Sequence, residues 1–337
     1  MKILFHAYNT CCQNTSGGVQ VRMRKIRDHL LARGHIVDFF STFETRIEDY
    51  DILHVFALNF ESLSIMKVAK EQGLKIVLSS IVNTINGYKI DLYRHLFSKT
   101  PIMTTYKLLD QTINLADYII VETEAEGAFI SKHYKISQKI MRVIPNGIDV
   151  DNWEGREIFE ELLGVEKYVL QCGRFDKNKN QLNVIRALKG SGIDVVFVGG
   201  EDARGGDYFE SCKREAKGDT HFHFLGWVSQ NSPLLRSAFR WADTLVLPSH
   251  YETFGLVALE AGIMGAKLVL SNTLPILSYK SMSSCETFNP DNVKEIREAV
   301  IKTFSLPQSN KMKNAMITDF SWGTVIDSHE SVYNSLL

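Results

Sequence analysis

Three short stretches combine residue types that bind anions and hydroxyls. Ser16-Gly17-Gly18 opens a helix whose apolar stripe is Val19, Met23, Ile26 and Leu30. Two glycines there let the backbone approach an anion, and the free amides with the helix dipole favour phosphate. A plain tight turn is the alternative reading. Gly173-Arg174-Phe175-Asp176-Lys177-Asn178-Lys179-Asn180 sets a planar guanidinium fork and a point charge five residues apart. That pair suits a diphosphate, although a solvated charged loop would read the same way. Glu252-Thr253-Phe254-Gly255-Leu256-Val257-Ala258-Leu259-Glu260 separates two carboxylates by seven residues. On a continuous α-helix they would stand ~12 Å apart along the axis and about 80° apart around it. This is too far for a paired acid and base, and it suits two hydrogen-bonding points on one elongated ligand such as a sugar nucleotide. The amides of Thr253–Gly255 would lie between them at a helix N-terminus.

These residues need a scaffold that brings strand ends and helix starts together. Short β-branched runs alternate with helical periodicity along most of the 337 residues, the pattern of parallel sheets covered by helices. The spacing predicts strands at Lys2–Phe5, Val37–Phe40, Ile52–Val55, Lys75–Leu78, Tyr118–Val121 and Met141–Ile144. After the Asn146-Gly147 turn the rhythm restarts with Tyr168–Cys172, Asp194–Val198, Phe222–Leu225, Thr244–Leu247 and Lys267–Leu270. The break from Ile148 to about Gly164 argues for two doubly wound domains rather than one barrel. The expected division is residues 1–155 and 156–319, with a terminal helix over about 320–337 crossing back onto the first domain. In such sheets ligands bind beyond the carboxyl ends of the strands, where all three stretches fall.

Composition narrows the function. The chain is 45% hydrophobic with a net charge of −1, so no overall basic field points to nucleic acid. No apolar run is long enough to span a bilayer, and Ile3–Phe5 is too short for a signal-peptide core. Five cysteines (Cys11, Cys12, Cys172, Cys212, Cys285) without a C-x-x-C pattern read as reduced thiols in a cytoplasmic protein, with no metal site. Residues 1–150 nevertheless hold 18 Lys and Arg against 15 Asp and Glu, and the remainder is net acidic. Two stretches supply the surplus. One is the helix with Arg22, Arg24, Lys25, Arg27 and Arg33. The other is a segment with Lys89, Arg94, His95, Lys99 and Lys107 among Tyr88, Tyr93, Phe97 and Tyr106. Such a surface suits an anionic membrane or a lipid-diphosphate acceptor, an ordinary solvated face being the alternative.

The order of these motifs resembles the retaining glycosyltransferases of family 4, which have the GT-B fold of two facing Rossmann-like domains around an interdomain cleft. The resemblance rests on Ser16-Gly17-Gly18 followed by Leu31–Val37, Ala116–Val121, Ile144-Pro145-Asn146-Gly147-Ile148-Asp149, Gly173-Arg174 with Lys179, Phe224–Val228, and the Glu252/Glu260 pair. It implies that Arg174 and Lys179 hold the donor diphosphate, Glu260 the ribose and Glu252 the sugar hydroxyls. It also implies backbone contacts from Thr253, Phe254, Gly255 and Leu256, a phosphate contact from Gly17 and Gly18, and a base flanked by Gly226, Trp227 and Val228. Negative charge on the leaving diphosphate would be met by Arg, Lys and helix termini rather than a metal. Asp149-Val150-Asp151 is then a false metal lead.

One departure stands out. The family usually carries a histidine after the fourth strand, whereas this chain reads Leu78-Ser79-Ser80-Ile81-Val82-Asn83. Ser80 or Asn83 could make that polar contact, or His54 could substitute as a catalytic residue, a satisfied strand-end histidine being the alternative reading. The resemblance implies transfer of a hexose, with retention, from a UDP-sugar to a saccharide or lipid-linked saccharide acceptor, with UDP-glucose the first donor to test. The alternative is a catalytically silent sugar-nucleotide-binding or scaffold protein. A sugar-releasing phosphorylase would need a cofactor lysine or a phosphate site that no motif supplies.

Overall fold

The computed structural model of the chain describes residues 1–7, 18–82, 84–97, 100–149, 164–201, 206–229 and 232–337. Two compact units emerge: Met1–Gly147 with Trp322–Leu337, and Ile148–Ser321. The boundary expected between 155 and 156 lies outside the described residues, as do Asn83 and Asp151.

Unit 1 is built on β1 (Lys2–Ala7), β2 (Ile36–Phe39), β3 (Ile52–Phe56), β4 (Lys75–Ser79), β5 (Tyr118–Val121) and β6 (Met141–Val143). They form one parallel sheet in the order β2-β1-β3-β4-β5-β6. Its helices are α1 (Gly18–Ala32), α2 (Leu63–Glu71), α3 (Gly87–Leu96), α4 (Thr105–Ile113) and α5 (Glu124–Tyr134). All five residues of β3 are buried, as a strand covered on both faces requires. One core joins Leu4, Leu53, Ile76 and Ile119 to Met66 and Ile130 from the helices. On the opposite face Ile3, Phe5, Met23 and Ile26 pack with Trp322, Val325, Ile326 and Tyr333 of the terminal helix.

Unit 2 repeats the plan with β7 (Tyr168–Cys172), α6 (Gln181–Leu188), β8 (Asp194–Val198), α7 (Tyr208–Ala216), β9 (Phe222–Phe224), α8 (Pro233–Arg240), β10 (Thr244–Leu247), α9 (Leu256–Met264), β11 (Lys267–Ser271), β12 (Glu286–Phe288), α10 (Val293–Ser305) and α11 (Lys311–Phe320). The parallel order is β12-β11-β10-β7-β8-β9. Strand β12 is an addition to the sequence reading: three residues with no alternation are extended by pairing with β11. The C-terminal tail differs too. Ser321 is extended and separates α11 from α12 (Trp322–Asn334), so the helical tail starts two residues later than expected and the chain changes unit there.

Two features of unit 1 bear on the sequence expectations. His54 is completely buried, with Nδ1 2.7 Å from the Tyr333 hydroxyl and Nε2 2.9 Å from Ser79 Oγ. Nδ1 pins α12 to the sheet and Nε2 is taken by Ser79 of β4, so neither ring nitrogen is left for a ligand. Four arginines of the basic stretches are tied within the unit. Arg22 is buried against Glu122, and Arg33 meets Asp327 and Glu330 of α12. Arg27 bonds the Val37 carbonyl and lies over the Phe39 ring. Arg94 turns in to Asp110 and the Tyr134 carbonyl, and Tyr93 is buried beside Tyr106.

Burial holds the His54 and His329 rings neutral: His54 is pushed well below the usual histidine range and His329 down to about 3. A base whose folded pKa is depressed withdraws stability as pH falls below its unfolded value of ~6.5, because only the unfolded chain takes up the proton. Urea unfolding at pH 7.5 and 5.0 tests this. The native chain is expected to lose stability between the two, and His329→Leu to shrink that loss by ~1–2 kcal/mol. An unchanged pH dependence in the variant would contradict the assignment.

Candidate functional site

The carboxyl edge of the unit 2 sheet collects the second and third chemical stretches. Strand β7 ends at Cys172, and the chain turns through Gly173 into the 174–180 loop before α6. Strand β10 ends at Leu247 and runs through 248–255 into α9. Asn178 ties the two loops together: its side chain donates to the Tyr251 carbonyl (2.9 Å) and accepts from the Tyr251 amide (3.0 Å), while its carbonyl accepts from the His250 amide (2.9 Å). Asn180, held in the left-handed region at φ 57°, donates to the Pro248 and Pro290 carbonyls. Neither asparagine was singled out in the sequence, since their partners lie about 70 or more residues away.

Across this junction Lys179 Nζ donates to Glu252 Oε1 at 2.5 Å, and Ser249 Oγ donates to the same oxygen at 2.7 Å. Both charged side chains are largely buried, at 18% and 15% exposure. The Lys179 amide is fixed by Asp176 Oδ1 and its carbonyl by Gln171 Nε2. Arg174 is more open, its guanidinium 3.8 Å from Asp176. Glu252 is not on a helix, contrary to the spacing estimate. Gly255 takes φ 108°, a conformation a side chain would strain, and α9 begins only at Leu256. Thr253 and Gly255 thus sit just before a helix N-terminus. Phe254 turns its ring into the core against Tyr279 and Phe320, leaving only its backbone for a ligand. Leu256 is partly exposed at the first turn.

Glu260 lies in the second turn of α9. Burial alone pushes its carboxyl up to about 7, and the carboxylate has no hydrogen-bond or ion-pair partner among the described residues. Its charge is felt by Cys172, the last residue of β7. Burial pushes that thiol up to about 12, with Glu260 raising it and Lys179 lowering it. Cys172 therefore lies within electrostatic reach of both, which the sequence did not signal. A desolvated carboxylate without a donor is costly, and an incoming hydroxyl would relieve it.

The neighbouring strand end completes the edge. The Gly199 amide donates to the Gly226 carbonyl at 2.8 Å, and a Cβ on Gly199 would meet the Gly173 carbonyl at 2.1 Å. A Cβ on Gly200 would strike the Trp227 indole, so that ring, 64% exposed, leans directly on the 199–200 backbone. Val228 packs against the core. Glu201 is exposed and Asp202 lies outside the described residues. In unit 1, Gly18 is exposed at the start of α1, and Ser16 and Gly17 lie outside the described residues. Ser80 is buried and donates to Glu126 Oε1, which also accepts from the Val82 amide. Glu126 thereby braces a β-branched residue, Ile81, at φ 47°, a strained turn at the end of β4. No motif in the sequence pointed to this role of Glu126 in holding the turn. Among the described residues no three His, Cys, Asp or Glu are grouped to hold a metal ion.

Comparison with known proteins agrees with this architecture. Residues 16–152 match the Glycosyltransferase Family 4 model, and residues 156–318 match Glycosyl transferases group 1. An uncharacterized glycosyltransferase of Methanocaldococcus jannaschii is 24% identical over 309 residues, covering 85% of this chain and 76% of that protein. D-inositol 3-phosphate glycosyltransferase of Corynebacterium jeikeium is 26% identical over 324 residues, covering 77% of each. Among solved structures, Anabaena HepE in complex with UDP and glucose superposes with a TM-score of 0.72 at 16% identity, over 99% of this chain and 100% of that one. Sucrose-phosphate synthase of Thermosynechococcus elongatus gives 0.74 at 16%, over 100% and 99%. With two six-stranded parallel sheets and both halves matched by glycosyltransferase families, this chain belongs to the GT-B glycosyltransferases of the group 1, family 4 type.

Proposed function

We propose that the chain transfers a hexose from a UDP-sugar, UDP-glucose first among candidates, to a saccharide or lipid-linked saccharide acceptor with retention of configuration. Unit 2 is the donor unit in this reading and unit 1 receives the acceptor. The observation that carries it is the grouping of Lys179, Glu252 and Glu260 at one strand edge: a cation, an anchored carboxylate and an unpartnered one. A donor diphosphate would draw on Lys179 and Arg174, and the Thr253–Gly255 backbone would add partial positive charge. Glu260 would accept from ribose hydroxyls, and the Glu252 oxygen not bonded to Lys179 and Ser249 from sugar hydroxyls. Trp227 would flank the base. The UDP complexes of Anabaena HepE support the choice of UDP.

In the proposed reaction the bond between the anomeric carbon and the diphosphate oxygen breaks, and the acceptor oxygen bonds to the same face. The departing phosphate oxygen takes the acceptor proton. Arg174 and Lys179 neutralise the charge that develops on the leaving group, so turnover is expected to persist in EDTA. Anomer-resolved NMR of the product tests retention. An inverted product would overturn the mechanism, and no transfer or donor hydrolysis with any acceptor would favour the silent-binder reading.

Site variants separate the roles. Lys179→Ala is expected to weaken UDP binding roughly 10–100-fold, the loss of a charge-assisted contact of ~1.5–3 kcal/mol, and calorimetry with wild-type affinity would sink the assignment. Glu252→Ala is expected to depress kcat/KM for the UDP-sugar while changing UDP affinity by less than about threefold. Because Glu260 accepts hydroxyls only as a carboxylate and its carboxyl lies at about 7, UDP-glucose affinity should fall as pH drops from 8 to 6. Glu260→Gln should bind weakly at both pH values. A variant that keeps the native pH dependence would remove Glu260 from the site.

A further inference from the structure

Helix α3 carries apolar residues on two faces. Ile90 and Tyr93 are buried in unit 1, whereas Tyr88, Leu92 and Leu96 are 66%, 54% and 51% exposed. Residues recurring every fourth position stack on one stripe of a helix, and Ile85, one turn earlier in the 3₁₀ turn Thr84–Asn86, is 56% exposed and extends it. A helix that only covers a sheet turns polar side chains outward, so covering the sheet does not account for this outer stripe.

The charges around the stripe are one-sided. At about 100° per residue, Lys89 falls on one flank and His95 on the other. The Lys89 ammonium lies over the Tyr88 ring at 5.8 Å, the posture of a long cation whose stem follows an apolar surface. From 84 to 107 the sequence holds Lys89, Arg94, Lys99 and Lys107, and Asp91 is the sole acid. That acid is engaged by His133 Nδ1 at 2.9 Å. Arg94 is turned inward onto Asp110, which leaves Lys89 as the cation beside the stripe.

We propose that this stripe docks on an anionic phospholipid bilayer, with Ile85, Tyr88, Leu92 and Leu96 at the boundary between headgroups and acyl chains and Lys89 at headgroup level. The contact is peripheral, because no described helix is long and apolar enough to cross a membrane. A second copy of the chain fits less well. Three side chains on one short helix and one in the turn before it offer far less than the ~800 Å² per partner of a stable interface, and a two-fold copy would bring like charges together. The inference is independent of the glycosyl-transfer reading and changes the basis of the membrane expectation: Arg22, Arg27 and Arg33 of the first basic stretch are tied within unit 1, and the lipid-facing group is the apolar face of α3.

Co-sedimentation at low salt with phosphatidylglycerol/phosphatidylcholine vesicles and with phosphatidylcholine alone is the test. The native chain is expected to bind the anionic vesicles and to be released by salt. The double variant Leu92→Ser/Leu96→Ser is expected to lower partitioning roughly tenfold or more, as removal of two buried leucines predicts. Lys89→Glu is expected to lose affinity for the anionic vesicles only. UDP binding equal to wild type in each variant separates this result from misfolding and from the donor-site assignment. Absence of salt-sensitive binding by the native chain, or undiminished binding by the double variant, would overturn the proposal. A native dimer that the double variant dissociates would overturn it in favour of a second copy.

Discussion

The ion pair between Lys179 and Glu252 joins two loops that leave different strands of one parallel sheet. Parallel topology puts the carboxyl ends of β7 and β10 side by side, and the pair with the Asn178 bonds then fixes where both loops stand. Holding an ammonium and a carboxylate largely out of water is expensive unless further donors and acceptors share the load. Ser249 does so for Glu252. The arrangement keeps a cation and an acceptor preorganised within bonding distance, so that a ligand bearing both phosphate and hydroxyls could exchange partners with them rather than build a site from mobile side chains.

Glu260 is the complementary case. It has the same residue type as Glu252 and lies only eight positions on, yet it sits half-buried in the helix that Gly255 starts, without an ion-pair partner among the described residues. The two carboxylates are thus prepared differently, one anchored by an ion pair to a lysine, the other raised by burial. The backbone contacts among Gly173, Gly199 and Gly226, with Trp227 laid on Gly200, close the same edge with almost no side-chain volume.

Much of this was legible in the sequence because it is periodic or local. Eleven of the twelve strands follow from β-branched runs, and the Gly-Arg, Lys179 and Glu252/Glu260 spacings mark the unit 2 edge. What was not legible depends on contacts remote in the chain. Strand β12 exists only through pairing with β11. His54 reads either as a reactive or as a satisfied strand-end residue, and only Tyr333, 279 positions away, decides by taking its Nδ1. Arg22 reads as surface charge until Glu122 meets it in the interior. The helical spacing assumed for the two glutamates failed because a single positive-φ glycine moved the helix start. The near-neutral net charge concealed all of this, since buried pairs cancel in the same count as exposed ones.

Calorimetric titration of the full chain with UDP, followed by displacement with a panel of UDP-sugars, tests most directly whether unit 2 is a nucleotide-sugar donor site. Saturable binding of UDP at one site per chain, displaced by at least one UDP-sugar, is the predicted result. No saturable binding of UDP or of any UDP-sugar would contradict it.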